Sequence, residues 1–318
     1  MKVLANDGIS QSGITLLEQN GFEVITTKVA QNQLEKYIND HHIDAILVRS
    51  ATQVRQELID ACPSLKLIGR GGVGMDNIDV EYAIDQGLHV INTPEASSQS
   101  VAELVFAHLY GMVRFLHQSN REMPLEGDTR FKNLKKAYGN GIELQGKTIG
   151  VIGFGRIGQA VAKIAIGLGM KVVAFDAYVE NAIIELSFFD GRKLAFDIQV
   201  QPLDDVLSTS DFITVHVPAQ ENYILGKTEF DKMKDGACVI NAARGGVMDE
   251  IALLNAMEEG KIQFAGLDVF EKEPSPEIQL LMNPNLSLSP HIGAATNEAQ
   301  ERIGEELATQ IIRLLKEE

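Results

Sequence analysis

Three apolar, β-rich runs in the second half of the sequence each lead to a side chain that can carry a charge or a proton: Arg244, Glu273 and His291. In a parallel sheet the carboxyl ends of the strands share one edge, where ligands bind, so we expect these side chains to converge there. An imidazole can exchange a proton near neutral pH, a neighbouring carboxylate orients it, and a guanidinium binds a carboxylate through paired donors. This set suits hydride transfer at C2 of a 2-hydroxy acid, with Arg244 also binding the substrate.

A glycine-rich turn predicts where the hydride carrier binds. Gly153, Gly155 and Gly158 directly follow the β-branched run 148–152 and precede a helical pattern. The first glycine permits the tight turn, the second lets the backbone approach a pyrophosphate, and the third lets helix and strand pack closely. Asp176 ends the next β-rich run, where its carboxylate can accept hydrogen bonds from a ribose diol and repels a 2′-phosphate. The turn and the carboxylate therefore favour NAD over NADP.

Two other histidines are interpreted as structural. His216 also ends a β-rich run, but no carboxylate follows it closely. His108 lies within a long helical pattern that begins near Ser97. A single His without a charged neighbour in sequence is more often structural than catalytic.

Two alternating series of β-rich runs and helical patterns make up the chain. Such alternation predicts an α/β protein with two doubly wound parallel-sheet domains: a Rossmann NAD-binding domain and a smaller flavodoxin-like substrate domain. We place the substrate-binding domain at 1–97 and 292–318, and the NAD-binding domain at 98–291. Residues 130–140 are expected to be irregular. The strands expected in the second series lie near 148–152, 172–175, 212–217, 237–241, 264–269 and 286–289.

Composition excludes several classes of function. The chain has 318 residues and a formal net charge of −16, which disfavours binding to nucleic acid or to an anionic membrane. Its two cysteines, Cys62 and Cys238, lack the spacing of a zinc site or a disulfide framework. No apolar run reaches membrane-spanning length. We therefore expect a cytoplasmic protein without a metal.

Together, these motifs resemble the D-isomer-specific 2-hydroxyacid dehydrogenases over essentially the whole chain. The resemblance is carried by the Ala-Arg-Gly-Gly turn at Arg244, the Glu-Pro pair at Glu273 and the Pro-His pair at His291. It implies that these three residues are the catalytic set. Val73 and Val217 stand where family members can carry Thr, so their cofactor contacts should be apolar or through the backbone. Beyond the glycine turn and Asp176, the implied cofactor contacts are Val73, Arg156, Ile157, Val217, Pro218, Ala242, Ala243, Asp268, Gly293 and Ala294.

The first domain resembles the family members that oxidise 3-phospho-D-glycerate to 3-phosphohydroxypyruvate in serine synthesis. The segments that carry this similarity are 48–52, 69–79 and 92–94. A phosphorylated hydroxy acid needs at least two cationic groups, and two Arg residues follow β-rich runs in these segments. The residues expected to hold the substrate are Arg49, Ser50, Arg70, Gly71 and Gly72, together with Arg244.

The resemblance also implies a homodimer, with the long helix from Ser97 at its interface. The one evident basic cluster of this acidic chain follows that helix and comprises Arg130, Lys132, Lys135 and Lys136. We hypothesise that one of these residues reaches the active site of a partner subunit. Because the sequence stops at Glu318, soon after a terminal helical pattern, we also expect no serine-sensing regulatory domain and no inhibition by serine.

Two alternative functions stay open. The catalytic set would contact only the 2-hydroxy acid portion of a substrate, so a glyoxylate or hydroxypyruvate reductase, or another D-2-hydroxyacid dehydrogenase, would carry the same three residues. Preference for a phosphorylated acid would separate them. The fold also serves NADH-sensing co-repressors of the C-terminal-binding-protein family, for which negligible turnover would be expected.

Overall fold

The computed structural model describes residues 1–316, which divide into two compact units. The first unit comprises Met1–Ser100 and the chain from Ala294, and the second comprises Val101–Gly293. Each unit contains its own parallel sheet and its own buried apolar clusters. Within residues 1–316, no helix combines the length and the apolar character needed to cross a bilayer.

The first unit is built on a five-stranded parallel sheet in the order β2-β1-β3-β4-β5. Its strands are β1 (Lys2–Ala5), β2 (Glu23–Ile25), β3 (Ala45–Val48), β4 (Leu67–Arg70) and β5 (His89–Asn92). Its helices are α1 (Gln11–Gln19), α2 (Leu34–His41), α3 (Gln56–Ala61), α4 (Val80–Asp85) and the terminal α13 (Asn297–Lys316). This strand order is that of flavodoxin, so the predicted flavodoxin-like fold is confirmed.

Apolar patterning explains why these segments form the core. All four residues of β3 are buried, as expected for a central strand with helices on both faces. Helix α13 buries one stripe that includes Ile303, Leu307 and Ile311 and leaves its charged face in solvent. That stripe belongs to the same apolar cluster as Leu47 and Leu67 of the sheet.

The second unit is built on a six-stranded parallel sheet in the order β13-β12-β11-β10-β6-β7. Its strands in the sheet are β6 (Thr148–Ile152), β7 (Lys171–Phe175), β10 (Phe212–Val215), β11 (Ala237–Asn241), β12 (Ile262–Leu267) and β13 (Leu286–Leu288). Its helices are α5 (Ser98–Val113), α6 (Leu116–Glu126), α7 (Phe131–Ala137), α8 (Arg156–Gly167), α9 (Leu203–Thr209), α10 (Lys227–Lys232), α11 (Glu250–Glu258) and α12 (Ile278–Leu281). The strand order reverses between β6 and β10, which is the switch point of a Rossmann sheet, so the predicted class is confirmed here too.

A β-hairpin in the second unit was not predicted. It consists of β8 (Asn181–Ser187) and β9 (Lys193–Gln199), which pair antiparallel across their full length. Ile184 points inward and is buried in the same apolar cluster as α8, whereas the alternate residues are exposed. After the hairpin, Val200 makes one parallel bridge to Ala174 of β7. A complete Rossmann sheet has a third strand beside β7, and here this single bridge lies in its place.

The prediction that residues 130–140 are irregular is wrong, because helix α7 occupies 131–137. Leu134 is the one residue of α7 that is buried, and both neighbouring lysines, Lys135 and Lys136, are exposed. A seven-residue helix with one apolar anchor shows too little periodicity to distinguish it from a loop.

Candidate active site

His291 and Glu273 form a hydrogen-bonded pair at the carboxyl edge of the second sheet. The distance between His291 Nδ1 and Glu273 Oε2 is 2.8 Å. The other carboxylate oxygen of Glu273 accepts from the backbone N–H of Phe270 at 3.1 Å, which orients the carboxylate. Because Nδ1 donates its proton to Glu273, Nε2 is the nitrogen of His291 that is left to exchange a proton with a substrate.

Arg244 lies in a turn that follows β11. The side chain of Asn241 organises this turn: its Nδ2 donates to the Arg244 carbonyl at 2.9 Å, and its Oδ1 accepts from Ala243 N at 3.0 Å. A Cβ added to Gly245 would overlap the carbonyl oxygen of Phe270, so this turn lies against the loop that holds Glu273. The structure therefore brings the Arg244 turn and the His291–Glu273 pair to one edge of one unit.

The glycine turn has the geometry that a dinucleotide pyrophosphate requires. Gly153 has φ +90°, a conformation that favours glycine, and a Cβ there would overlap the carbonyl oxygen of His216. A Cβ on Gly158 would overlap the Gly153 carbonyl oxygen. Gly155, at the N-cap of α8, has open space beside it. The backbone of this turn and the N-terminus of α8, with Arg156 and Ile157 in its first turn, can thus hold the pyrophosphate.

The carboxylate of Asp176 ties the loop after β7 to the glycine turn. Its Oδ2 accepts from Phe154 N at 2.6 Å, and its Oδ1 accepts from Tyr178 N at 2.8 Å and from Val179 N at 3.0 Å. An ionised carboxylate offers about four acceptor positions, so these three bonds leave room for a ribose hydroxyl. Asp176 therefore shapes the glycine turn and keeps an acceptor position for a further donor.

Asp176 provides the first testable prediction. In an Asp176→Ser variant, the loss of a charged acceptor is expected to weaken NADH binding by about 1.5–3 kcal/mol, roughly tenfold or more in Kd. The preference for NADH over NADPH should also fall, because the repulsion of a 2′-phosphate is removed. Fluorescence titration with both cofactors measures these effects. Asp190→Ser, in the exposed hairpin turn where Asp190 pairs with Arg192, is the matched control; an unchanged Kd in Asp176→Ser would contradict the assignment.

The segment after β10 lies at the switch point, beside Gly153. The Val217 side chain would be 3.0 Å from a Cβ on Gly153, and Pro218 follows it. His216 Nε2 lies 2.9 Å from Thr214 Oγ1, and burial lowers the pKa of His216 to about 3. This imidazole is therefore neutral near pH 7 and does not act as a charged acid.

Four further predicted cofactor residues are buried in the second unit: Ala242, Ala243, Asp268 and Gly293. Asp268 follows β12 and is only 1% exposed. Its Oδ1 accepts from Ser289 Oγ and from Ile292 N, and its Oδ2 accepts from Gly293 N at 2.8 Å. Its carboxylate thus contacts the loop that carries His291.

Five of the six predicted substrate residues lie in the first unit, whereas Arg244 lies in the second. Arg49 directly follows β3, and Arg70 ends β4, where it is registered with Val48. A Cβ on Gly71 would lie 3.6 Å from Arg49 Cγ, and Gly72 packs against the Arg70 guanidinium. The first unit also contains Ser50, Val73 and Ala294, of which Ser50 and Val73 are exposed.

Two residues that support the Arg49 loop were not predicted. Asp7 Oδ2 accepts from Arg49 N at 2.7 Å, and Asp7 Oδ1 accepts from Thr52 Oγ1 at 2.8 Å. Asn77 Nδ2 donates to the carbonyl oxygens of Arg49 and Thr52 at 2.8 and 2.6 Å. The sequence did contain an indication of Asp7, because this residue comes soon after β1, the strand next to β3. Ligands of α/β proteins bind at the carboxyl ends of such strands.

Comparison with known proteins identifies relatives of this arrangement. Residues 106–293 match the family model described as D-isomer specific 2-hydroxyacid dehydrogenase, NAD binding domain. A D-3-phosphoglycerate dehydrogenase of Methanocaldococcus jannaschii is 40% identical over 320 residues, which cover 100% of this chain but 58% of the relative. This chain therefore spans less than two thirds of that protein's length.

Two other proteins are similar over nearly their full lengths. A hydroxypyruvate reductase of Thermotoga maritima is 40% identical, covering 99% of this chain and 98% of the relative. The crystal structure of a glyoxylate reductase from Paecilomyes thermophila superposes with a TM-score of 0.82 at 28% identity, covering 100% of this chain and 96% of that chain.

Proposed function

Because the chain belongs to the D-isomer specific 2-hydroxyacid dehydrogenase family, we propose that it oxidises 3-phospho-D-glycerate to 3-phosphohydroxypyruvate with NAD. The observation that carries the chemistry is the hydrogen bond between His291 Nδ1 and Glu273 Oε2, with the Arg244 turn against the same loop. The phosphorylated substrate is supported by the two arginines at neighbouring strand ends in the first unit, Arg49 and Arg70.

The three catalytic residues have separate tasks in this mechanism. NAD⁺ held by the glycine turn and Asp176 would supply the hydride acceptor for C2 of the acid. His291 Nε2 takes the proton of the C2 hydroxyl, and Glu273 stabilises the imidazolium that results. Arg244 binds the substrate carboxylate through its fork of N–H donors. In the reverse direction the same imidazolium returns the proton to the carbonyl oxygen.

A second candidate substrate is hydroxypyruvate, without a phosphate. It is favoured by the Thermotoga maritima relative, whose named activity is hydroxypyruvate reductase and which matches this chain over nearly its whole length. The catalytic set does not distinguish the two acids, because it contacts only the carboxylate and the C2 oxygen. The distinction depends on what Arg49 and Arg70 bind.

A panel assay tests the proposed function. NADH oxidation is measured with 3-phosphohydroxypyruvate, hydroxypyruvate, glyoxylate, pyruvate and 2-oxoglutarate. We expect the highest kcat/KM with the phosphorylated acid, and a Ser substitution of Arg49 or Arg70 should reduce that value without reducing turnover of glyoxylate. A higher kcat/KM with hydroxypyruvate would make hydroxypyruvate, and not the phosphorylated acid, the preferred substrate. Negligible turnover of every acid would favour the co-repressor alternative.

We also propose a homodimer with shared active sites, which rests on the family resemblance and in which the basic cluster on and beside α7 would contribute to substrate binding. Lys132, Lys135 and Lys136 are exposed on α7. Arg130 differs because it pairs with Glu126 one helical turn earlier. We infer that the lysines add to phosphate binding in a partner subunit.

Replacing all three lysines of α7 by Ala is expected to raise KM for the phosphorylated acid about fivefold, which corresponds to a loss of about 1 kcal/mol of binding free energy. The affinity for NADH should not change. The effect should diminish at high salt, since exposed charges are screened. The control removes the same number of charges: Lys227, Lys232 and Lys234 are replaced by Ala. These lysines lie in α10 or just after it. Equal KM values in the two triple variants would refute the role of α7.

A further inference from the structure

A chain of polar side chains, two of them buried and two half-buried, leads to the loop that carries His291. His108, on α5, is 4% exposed. Its Nδ1 lies 2.8 Å from Ser287 Oγ on β13, and its Nε2 lies 3.0 Å from Ser289 Oγ just after that strand. Ser289 Oγ lies 2.6 Å from Asp268 Oδ1. These contacts link a helix to the ends of two adjacent strands, within one unit.

The hydrogen bonds of this chain have one consistent direction. A carboxylate oxygen can only accept, so the single hydroxyl proton of Ser289 goes to Asp268. Ser289 Oγ must then accept from His108, which places a proton on Nε2. In the neutral ring Nδ1 is then an acceptor, and Ser287 Oγ donates to it. Burial lowers the pKa of His108 and thus favours the neutral ring. Of the titratable groups near it, Asp268 opposes this lowering of the pKa and His117 adds to it.

The far end of the chain holds the backbone after His291. Ile292 N and Gly293 N donate to the two oxygens of Asp268, each at 2.8 Å. His291 itself has φ +55°, the left-handed region, which costs a residue with a Cβ about 1–2 kcal/mol. Such a conformation persists only where the surrounding structure fixes it. The two bonds to Asp268 supply that constraint immediately beyond His291.

A glycine in β12 makes room for the side chain of His108. Gly266 of β12 is registered with Ser287, and a Cβ on Gly266 would lie 3.0 Å from His108 Cβ and 3.2 Å from its Cγ. Both distances are tighter than ordinary side-chain contacts, so any larger residue would displace the ring. The position of His108 is therefore set by packing as well as by its two hydrogen bonds.

We propose that His108 is a positioning residue for His291, acting through Ser289 and Asp268 on the backbone of Ile292 and Gly293. This inference rests on the proposed dehydrogenase function for its kinetic consequences. His108 touches no reacting atom. It keeps Ser289 turned toward Asp268, and Asp268 in turn keeps His291 against Glu273. Small misplacements of a catalytic group are costly, because proton transfer requires hydrogen-bond distance.

The test compares three variants of the full chain. His108→Leu removes both hydrogen bonds, whereas His108→Gln keeps an N–H donor near the position of Nε2. His117→Leu is the matched control: its ring nitrogens lie 3.3 Å from the carbonyl oxygens of Gly111 and Pro284, outside the chain described above. Each variant is assayed for kcat, KM and NADH affinity, and for hydrogen exchange at the amides of Ile292 and Gly293.

We expect His108→Leu to lower kcat by about 10- to 100-fold, with KM for the acid changed by less than about threefold. His108→Gln should recover most of the loss, and amide exchange at Ile292 and Gly293 should accelerate only in His108→Leu. Equal loss in the Gln and Leu variants, or unchanged exchange in His108→Leu, would overturn the proposal. If His108→Leu does not fold, Ser289→Ala serves the same comparison.

The exchange measurement needs no substrate, so it separates this proposal from the proposed function. A wild-type protein that turns over no acid on the panel contradicts the dehydrogenase function. Protected amides that are released by His108→Leu would still support positioning of the His291 loop in that case.

Discussion

Asn in place of His291 is expected to lower kcat by about 10²- to 10⁴-fold, the range over which a positioned acid–base group accelerates proton transfer. The Asn amide cannot take up and return a proton near neutral pH. Asn also tolerates positive φ better than most residues, so the backbone at φ +55° should be preserved. The loss would therefore report the missing imidazole rather than a collapsed loop.

Steady-state NADH oxidation with the preferred acid measures this loss, and fluorescence titration measures NADH affinity separately. We expect the NADH Kd to stay within about twofold of wild type, because the residues proposed to bind the pyrophosphate and the adenosine lie elsewhere. His117→Asn is the control for a His-to-Asn change on the same unit. Activity of His291→Asn within an order of magnitude of wild type would rule out His291 as the proton carrier.

Lys in place of Arg244 is expected to lower kcat/KM by about 100-fold, although the positive charge is kept. A guanidinium meets a carboxylate through two parallel N–H donors in a plane, and an ammonium offers only a point charge on a flexible stem. Truncating one partner of a close charged pair costs about 2–5 kcal/mol, and retention of the charge should place this variant at the lower end. The turn should survive, because Asn241 holds it through backbone atoms.

The measurement is kcat/KM across the acid panel, with NADH affinity as the internal reference. The loss should be similar for every acid on the panel, since all carry the carboxylate that we propose Arg244 binds. Arg192→Lys, on the exposed hairpin, controls for the substitution itself. A loss confined to the phosphorylated acid would instead assign Arg244 to the phosphate and leave the carboxylate to Arg49 or Arg70.

The regular elements were predictable where apolar periodicity was long or repeated. The runs at 148–152 and 237–241 match β6 and β11 residue for residue. The hairpin at 181–199 was missed because only Ile184 and Leu186 alternate with polar residues, and Ile183 breaks the pattern. A crossover helix is also the usual element after this strand of a Rossmann fold. Helix α7 was missed because a single buried residue carries its packing.

Some site residues could be predicted from sequence motifs, whereas the residues that support them could not. Sequence motifs directed attention to Asp176, but its three backbone hydrogen bonds depend on how the loop after β7 folds toward the glycine turn. Asp7 and Asn77 were absent from the prediction because each acts through backbone atoms of a distant loop. Local motifs name the residues that meet a ligand more readily than those that hold such residues in place.

By itself, the sequence determined the two α/β sheets and the glycine turn between strand and helix, and it led to the prediction of Arg244, Glu273 and His291 as the reactive side chains. These features depend on residue types at short spacing, and short-range sterics and periodicity express them directly. Only the tertiary structure decided that His108, remote in sequence, hydrogen-bonds Ser289 and so reaches Asp268. Such a contact arises because β12, β13 and α5 pack side by side, and no local pattern encodes which distant polar groups that packing will pair.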